Sequence, residues 1–155
     1  VLYYEPFVGY IPAGHRLHNK KEIEVEDLDL DDILLLEDGH CFKDGILNLC
    51  KATRTAGDND HFQLESGSFE TMIKLANEGL GMTLLPYLHT LDMKENEQKN
   101  IRMFVEPNPA REVSIIYNKS ELKIQIIEAL RNTISGVIKG AITYQNVKIV
   151  SPVHK

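Results

Sequence analysis

The chain has two cysteines, Cys41 and Cys50, nine positions apart in the segment LLLEDGHCFKDGILNLC that spans residues 34–50. Cys41 lies next to His40 and two positions before Lys43, whereas Cys50 ends a stretch rich in isoleucine and leucine. Imidazole and cationic neighbours favour a reactive thiolate, and apolar neighbours favour a shielded thiol. The two cysteines are therefore predicted to differ in their chemistry.

Cys41 is the better candidate nucleophile, because it is predicted to stand at or near a helix N-terminus, whose partial positive charge favours a thiolate. His40 and Lys43 can add hydrogen bonds or positive charge there. Attack of a thiolate on the O–O bond of a peroxide gives a sulfenic acid, which a second thiol condenses into a disulfide. Cys50 suits that resolving role, and His40 and His61 are the imidazoles available to donate hydrogen bonds near the leaving oxygen.

The spacing of the two cysteines predicts a conformational switch. Residues 42–50 are expected to form about two helical turns with their isoleucine and leucines directed inward. On one continuous helix, positions nine apart differ by about 900° in rotation and by about 13 Å along the axis. A disulfide requires Cα atoms roughly 4.4–6.8 Å apart, so a bridge must refold residues 42–50. Gly45 lowers the free-energy cost of this refolding, since glycine weakens a helix interior by about 0.5–1 kcal/mol relative to alanine.

The same cysteines and histidines also fit two roles without redox chemistry. In a reducing cytosol a pair of cysteines is often two inert buried thiols, and each histidine fits an ordinary surface or core position. His40, Cys41, Cys50 and His61 are also four potential zinc ligands. Their spacing matches none of the paired C-x-x-C or H-x-x-x-H arrangements in which one loop supplies two ligands, so no metal site is predicted.

The composition is that of a folded, water-soluble protein, with 155 residues, 43% hydrophobic and 26% charged content, and a formal net charge of −6. Acidic side chains concentrate in residues 21–32, KEIEVEDLDLDD, and would repel a phosphate backbone, so this part is not expected to bind DNA itself. No apolar run is long enough for a membrane helix and no secretory signal is present, which predicts a cytosolic protein. Because the chain begins VLYYEPF, without methionine, we expect it to be a piece of a longer polypeptide.

Predicted strands alternate with predicted helices, which indicates the α/β class. The strands are expected at FVGYIP (7–12), ILLLE (33–37), HFQLE (61–65), GMTLLP (81–86), IRMFVE (101–106) and EVSIIY (112–117), the last two separated by Pro107, Asn108 and Pro109. Helices are expected in SFETMIKLANEGLG (68–81), capped by Ser66 or Ser68, and from Ser120 to Lys139. Residues 93–100 form a polar connection, and residues 141–155 give no strong signal.

The motif EDGHC at residues 37–41, with its second cysteine at position 50, strongly resembles the OxyR family, the hydrogen-peroxide sensors among the LysR-type transcriptional regulators. The similarity extends through PFVGYIPAGHRL (6–17), HFQLESGSFETMIKLANEGLGMTLLP (61–86) and NPAREVSIIY (108–117). The resemblance implies a periplasmic-binding-protein-like effector domain made of Rossmann-like subdomain two plus the returning part of subdomain one. Residues 1–109 would form the crossover and subdomain two, residues 110–140 would return into subdomain one, and residues 141–155 would be a C-terminal tail.

The same resemblance assigns roles to individual residues. Cys41 matches the peroxidatic cysteine and Cys50 the resolving one, while His40 and His61 match histidines that help to activate peroxide. Lys43 stands where an arginine is common, which keeps the charge but loses the guanidinium fork. Asp44 and Arg111 match two further positions that the family uses near its switch region.

The expected function is a stoichiometric redox sensor, not an enzyme, in which Cys41 is oxidised to a sulfenic acid and resolved by Cys50. The resemblance implies no cofactor and no membrane. It implies a homo-oligomer, with dimers of regulatory domains inside a tetramer, that acts on promoter DNA through a DNA-binding domain outside this chain. RNA polymerase, peroxide and a thiol reductant such as glutaredoxin are the other implied partners.

Two competing functions also fit parts of the sequence. In a ligand-sensing LysR-type effector domain, Ser66, Ser68 and Thr71 at a helix start would bind a small anion. In a thiol peroxidase the same cysteines would turn over many times with an added reductant, but no peroxidase motif is found in the sequence.

Overall fold

Residues 1–37, 41–51, 64–120, 122–142 and 146–150 are described by a computed structural model of the chain. The strands within these residues are β1 (Tyr3–Tyr10), β2 (Glu22–Ile23), β3 (Ile33–Leu36), β4 (Glu65–Ser66), β5 (Met82–Pro86), β6 (Ile101–Phe104), β7 (Asn108–Val113) and β8 (Val147–Ile149). The α-helices are α1 (Cys41–Lys51), α2 (Phe69–Asn77), α3 (Glu95–Gln98) and α4 (Ile124–Lys139). Short 3-10 helices occupy Val25–Asp27 and Tyr87–Asp92.

The main sheet has the strand order β2-β6-β1-β5-β3-β4. β1 runs antiparallel to both of its neighbours, β5 and β6, whereas β3 runs parallel to β4 and β5. All four residues of β3 are buried, as expected for an inner strand covered on both faces. This confirms the strand predicted from the continuous apolar run that begins at Ile33.

β1 also forms a second set of pairs, because its first half leaves the main sheet. Tyr3 lies opposite Val113 and Pro6 opposite Ala110 on β7, while Phe7 is already paired with Pro86 on β5. β7 in turn pairs in parallel with β8. The two antiparallel strands β1 and β7 therefore join the main sheet to a smaller strand group.

Helix α2 begins and ends where its sequence predicts. Ser68 is the N-cap, and its hydroxyl accepts a hydrogen bond from the Thr71 amide at 3.2 Å, so of the two candidate serines it is Ser68 that caps the helix. Its buried side chains are Met72, Ile73 and Ala76. Gly79, with φ of +84°, follows the last turn in the left-handed conformation that glycine adopts readily.

The strand predicted at residues 112–117 is misplaced. β7 begins at Asn108, passes through Pro109 and ends at Val113. Proline does not break this strand, because its fixed φ suits an extended backbone and only its missing N–H limits pairing. Residues 114–117 pair with no strand within the described part of the chain, so they lack the partner that a strand requires.

The structure also differs from the prediction near the C-terminus and in the polar connection. Residues 147–149, inside the segment without a predicted element, form β8, and Val150 beside it is buried. The connection at 93–100 contains the short helix α3.

Helix α4 forms within the predicted range but starts at Ile124, not at Ser120. The Ser120 hydroxyl donates to the Asn118 side chain at 3.0 Å and does not cap the helix. None of its residues is buried by the described part of the chain, and Ile127, Ile134 and Ile138 are only partly covered. No helix among the described residues has both the length and the apolar character needed to span a membrane.

Candidate functional site

Both cysteines lie on helix α1, at opposite ends. Cys41 is the first residue of the helix and is exposed, whereas Cys50 is 1% exposed, and neither is in a disulfide. An ideal helix rises about 1.5 Å per residue, which separates the two positions by about 13 Å. The pair therefore begins as one accessible and one shielded thiol that cannot meet while α1 keeps its helical form.

The inner face of α1 is firmly packed. Its buried hydrophobic side chains are Phe42, Ile46, Leu49 and Cys50, and Leu47 is partly buried against the same core. Burial of a side chain of this size is worth about 1.5–3 kcal/mol. Refolding of residues 42–50 would therefore cost several such contacts.

Gly45 matters for packing as well as for helix stability. A Cβ atom at this position would lie 3.4 Å from the Phe7 ring of β1. The absent side chain lets α1 approach the first strand closely, so the residue that weakens the helix interior also allows its contact with the sheet.

Phe42, the neighbour of Cys41, connects α1 to three other elements. Its ring centroid lies 5.0 Å from that of Phe7 on β1 and 5.3 Å from that of Phe69 on α2, the second pair edge to face. The guanidinium carbon of Arg111 on β7 lies 5.3 Å from the centroid of the same ring, within the range of a cation–π contact. A displacement of Phe42 would change all three contacts.

Arg111 is held in place by a buried carboxylate. Its Nε and Nη2 atoms donate to Glu5 Oε2 at 2.9 and 2.7 Å, and Glu5 is 2% exposed. The other carboxylate oxygen of Glu5 accepts a hydrogen bond from the Leu88 amide at 3.0 Å. The structure therefore places Arg111 against Phe42 of α1 and shows the partner that fixes its position. Its role near the switch region stays a prediction.

The other predicted site residues differ in their surroundings. Lys43 is buried, and its Nζ atom donates to Glu65 Oε1 at 2.5 Å, which connects α1 to β4. Asp44 is exposed in the first turn of α1, three positions from Cys41 and so on the same side of the helix. His40 and His61 lie outside the described residues.

A pocket of about 310 Å³ opens beside Cys41. Phe7 and Phe42 form part of its wall, and Arg111 and Ser114 contribute polar groups. Cys41 also lines this pocket and is exposed, so its sulfur atom is accessible to a small molecule.

Tyr3 and Glu5 are site residues that the sequence motifs do not reveal. Tyr3 also lines the pocket, and its pKa is raised above 10, first by burial and then by the nearby Glu5 carboxylate, with a partial opposing effect from Arg111. The sequence does contain a feature that could have drawn attention to Glu5. A glutamate in the middle of the otherwise apolar strand YYEPFVGY requires a hydrogen-bond or charge partner if it is buried.

Ser66, Ser68 and Thr71, the candidate anion-binding residues, hydrogen bond to one another. Ser68 Oγ donates to Thr71 Oγ1 at 3.0 Å, and the Ser68 amide donates to Ser66 Oγ at 3.3 Å. These contacts are those of a capped helix start. Among the described residues, no group of three or more histidine, cysteine, aspartate or glutamate side chains is arranged to hold a metal ion.

Comparison with known proteins gives consistent matches. Residues 1–138 match the LysR substrate binding domain family. The HTH-type transcriptional regulator EstR of Acinetobacter baylyi is 32% identical over 68% of this chain and 35% of its own length. The DNA-binding transcriptional dual regulator OxyR of Escherichia coli is 29% identical over 87% of this chain and 45% of its own length.

Among solved structures, the reduced form of the OxyR regulatory domain from Pseudomonas aeruginosa superposes with a TM-score of 0.70. It is 32% identical, and the match covers 86% of this chain and 63% of that one. The chain thus spans less than half the length of the curated relatives that it matches.

Proposed function

This chain belongs to the LysR substrate binding domain family, and we propose that it is the regulatory domain of a transcription activator that senses peroxide through Cys41 and Cys50. The family and the α/β, periplasmic-binding-protein-like fold class predicted from the sequence are confirmed. The family is one of transcription regulator domains, not of enzymes. Relatives named for hydrogen peroxide, such as the hydrogen peroxide-inducible genes activator of Pectobacterium carotovorum, support the proposed stimulus.

The chemistry proceeds in two balanced steps. The Cys41 thiolate attacks one oxygen of hydrogen peroxide, so an S–O bond forms, the O–O bond breaks and the second oxygen leaves as water after protonation. The sulfur is thereby oxidised to a sulfenic acid and the peroxide is reduced. The Cys50 thiol then attacks the Cys41 sulfur, an S–S bond forms and the hydroxyl group leaves as a second water.

The position of the two cysteines at opposite ends of α1 is the observation that carries the proposal. Their separation of about 13 Å on an ideal helix makes the second step impossible without refolding of residues 42–50. Closing a loop of about ten residues is worth roughly 2.5–3 kcal/mol in the chain-entropy model, whereas each side chain that loses its burial costs about 1.5–3 kcal/mol. Several buried side chains of α1 would be exposed, so their cost exceeds the loop term. The oxidised form would therefore be strained and readily reduced, by a thiol reductant such as glutaredoxin.

Phe42 connects the proposed Cys41–Cys50 disulfide to the rest of the domain through its packing contacts. Refolding moves it away from Phe7, Phe69 and Arg111, and so alters the surface around α1 and the β1–β7 crossover. We propose that this change alters the packing of a homo-oligomer of regulatory domains, a tetramer in the whole protein. Promoter DNA would be bound by a domain outside this chain, in the cytoplasm and together with RNA polymerase.

We also propose that residues 1–109 form the crossover and subdomain two, and that residues 110–140 return into subdomain one. The paired strands β1 and β7 support a crossover, and β7 begins at Asn108, close to the proposed boundary. β8 pairs with β7, so the described part of the C-terminal segment 141–155 is attached to the same strand group.

Two alternatives have less support. For ligand sensing, the hydroxyl groups of Ser66, Ser68 and Thr71 are engaged in the start of α2. For a thiol peroxidase, the family match is to a regulator domain.

The direct test is to treat the reduced chain with one equivalent of hydrogen peroxide and to map its thiols by mass spectrometry. We expect a bridge between Cys41 and Cys50, with one peroxide consumed per chain. In Cys50→Ser, the sulfenic acid at Cys41 should persist and react with dimedone, whereas Cys41→Ser should consume no peroxide. A wild-type chain in which both thiols stay reduced would contradict the proposal.

A further inference from the structure

The pocket beside Cys41 is much larger than hydrogen peroxide requires. Its volume is about 310 Å³, whereas a cavity of roughly 10–15 Å³ already holds one water molecule. Hydrogen peroxide has only two oxygen atoms and would leave most of this space unused. The volume lies at the lower end of the range of about 300–1,000 Å³ found for pockets that bind organic molecules.

The wall of the pocket is predominantly apolar. It is formed by the rings of Phe7 and Phe42 and by the side chains of Val113 and Val150. Phe7, Phe42 and Val150 are buried, so these surfaces belong to the folded core. Such a wall favours an aryl or branched-alkyl group over water.

The charges at the pocket favour a neutral ligand. The Arg111 guanidinium is paired with the buried Glu5 carboxylate, so its positive charge is already compensated. Glu112, which also lines the pocket, adds a negative charge that would oppose an anionic ligand. The polar lining still offers hydrogen-bond donors from Arg111 and Tyr3. The Ser114 hydroxyl, which donates to Glu112 Oε1 at 2.7 Å, can accept a further hydrogen bond.

We propose that this pocket binds a neutral organic hydroperoxide, with its apolar group against Phe7 and Phe42 and its O–O bond directed at Cys41, so that the domain senses this class as well as hydrogen peroxide. The inference rests on the proposed redox function and specifies a substrate class for it. Because binding places the peroxide beside the thiol before reaction, the oxidation gains from proximity.

The reaction with this substrate also balances. The Cys41 sulfur attacks the terminal oxygen of ROOH, an S–O bond forms and the O–O bond breaks. The hydroperoxide is reduced to the alkoxide, which takes a proton and leaves as the alcohol ROH, while the sulfur becomes a sulfenic acid. Tyr3 lines the same pocket, and a tyrosine hydroxyl is protonated at neutral pH, so it is a donor available to the departing oxygen.

The test compares the rates at which hydrogen peroxide and cumene hydroperoxide oxidise Cys41 in the full chain. Wild-type protein should be oxidised by both, and the cumene hydroperoxide rate should saturate with concentration because a complex forms first. In Val150→Phe, which fills the pocket, the cumene hydroperoxide rate should fall by roughly tenfold or more, whereas the hydrogen peroxide rate should hardly change.

Ile149→Phe is the matched control, since Ile149 is 50% exposed and adjacent strand residues point to opposite faces. It should leave both rates unchanged, and Val113→Phe provides a second pocket-filling variant if Val150→Phe folds poorly. Oxidation by hydrogen peroxide alone would overturn the pocket assignment and leave the proposed function standing. An equal loss of both rates in the pocket-filling variants would also overturn it, whereas a chain inert to both peroxides would contradict the proposed function itself.

Discussion

At the scale of single residues, Cys41 and its neighbour Phe42 have separate tasks. In the proposed function the exposed thiol would provide the chemistry, while the buried ring connects the N-terminal end of α1 to β1, α2 and β7. Arg111 and Glu5 complete this arrangement at a sequence separation of 106 residues. The cysteines could be recognised from sequence, but the Glu5–Arg111 pair could not be, because nothing local specifies which distant cation a buried carboxylate will meet.

Substitution of Arg111 tests this arrangement. Arg111→Gln leaves the Glu5 carboxylate buried without its charge partner, and we expect it to lower the free energy of unfolding by about 3 kcal/mol, the low end of the usual range because Arg111 is partly exposed. Arg111→Lys should cost less, since the charge remains and only the guanidinium fork is lost. Urea denaturation followed by circular dichroism measures both.

The double variant Glu5→Gln with Arg111→Gln is the control. It removes both charges and should recover part of the stability lost in Arg111→Gln. A double variant that is destabilised by the sum of the two single effects would show that the pair is not coupled.

At the scale of elements, those with a local signal could be located from the sequence. The Ser68 cap, the glycine after α2 and the buried run of β3 are each set by neighbouring residues, and the structure contains all three. β7 is displaced from its predicted position and β8 is not predicted, because strand formation depends on the partner strand and not on local propensity alone. The apolar spacing of α4 predicts a helix correctly, but spacing does not reveal whether another surface covers it.

The 3-10 helix at Val25–Asp27 gives a prediction about pH. Burial raises the pKa of Asp27, but a side-chain hydrogen bond from Lys20, a backbone hydrogen bond from Glu24 and the charges of Lys20 and Arg16 outweigh it, so the pKa is lowered from 3.8. A lowered native pKa means that the ionised Asp27 stabilises the fold above about pH 3.8 and that this contribution is lost as the pH falls through the native pKa.

Asp27→Asn should therefore lower Tm at pH 7, and the difference from wild type should shrink as the pH falls below 3.8. Thermal unfolding across this range by differential scanning calorimetry provides the measurement. Lys20→Met removes the Lys20 hydrogen bond and charge. In a protein that carries this substitution, Asp27→Asn should therefore lower Tm at pH 7 by less than it does in the wild type. A Tm difference that grows on acidification would contradict the assignment.

At the scale of the whole molecule, α1 is packed where the main sheet meets the β1–β7 crossover. Phe42 contacts the part of β1 that pairs with β5, and Arg111 lies on β7 opposite Glu5. A change confined to residues 42–50 therefore acts on the connection between the two strand groups. This position, which emerges only from the three-dimensional fold, would give the proposed disulfide a physical means to alter an assembly.

The central claim is that oxidation bridges Cys41 and Cys50 by dismantling α1. Hydrogen exchange followed by mass spectrometry, before and after one equivalent of hydrogen peroxide, reports on this helix directly. We predict that the backbone amides of residues 42–50 are protected in the reduced chain and lose protection when the bridge forms, while those of α2 and β5 stay protected. A bridged chain in which residues 42–50 keep their full protection would show that the disulfide forms without dismantling the helix.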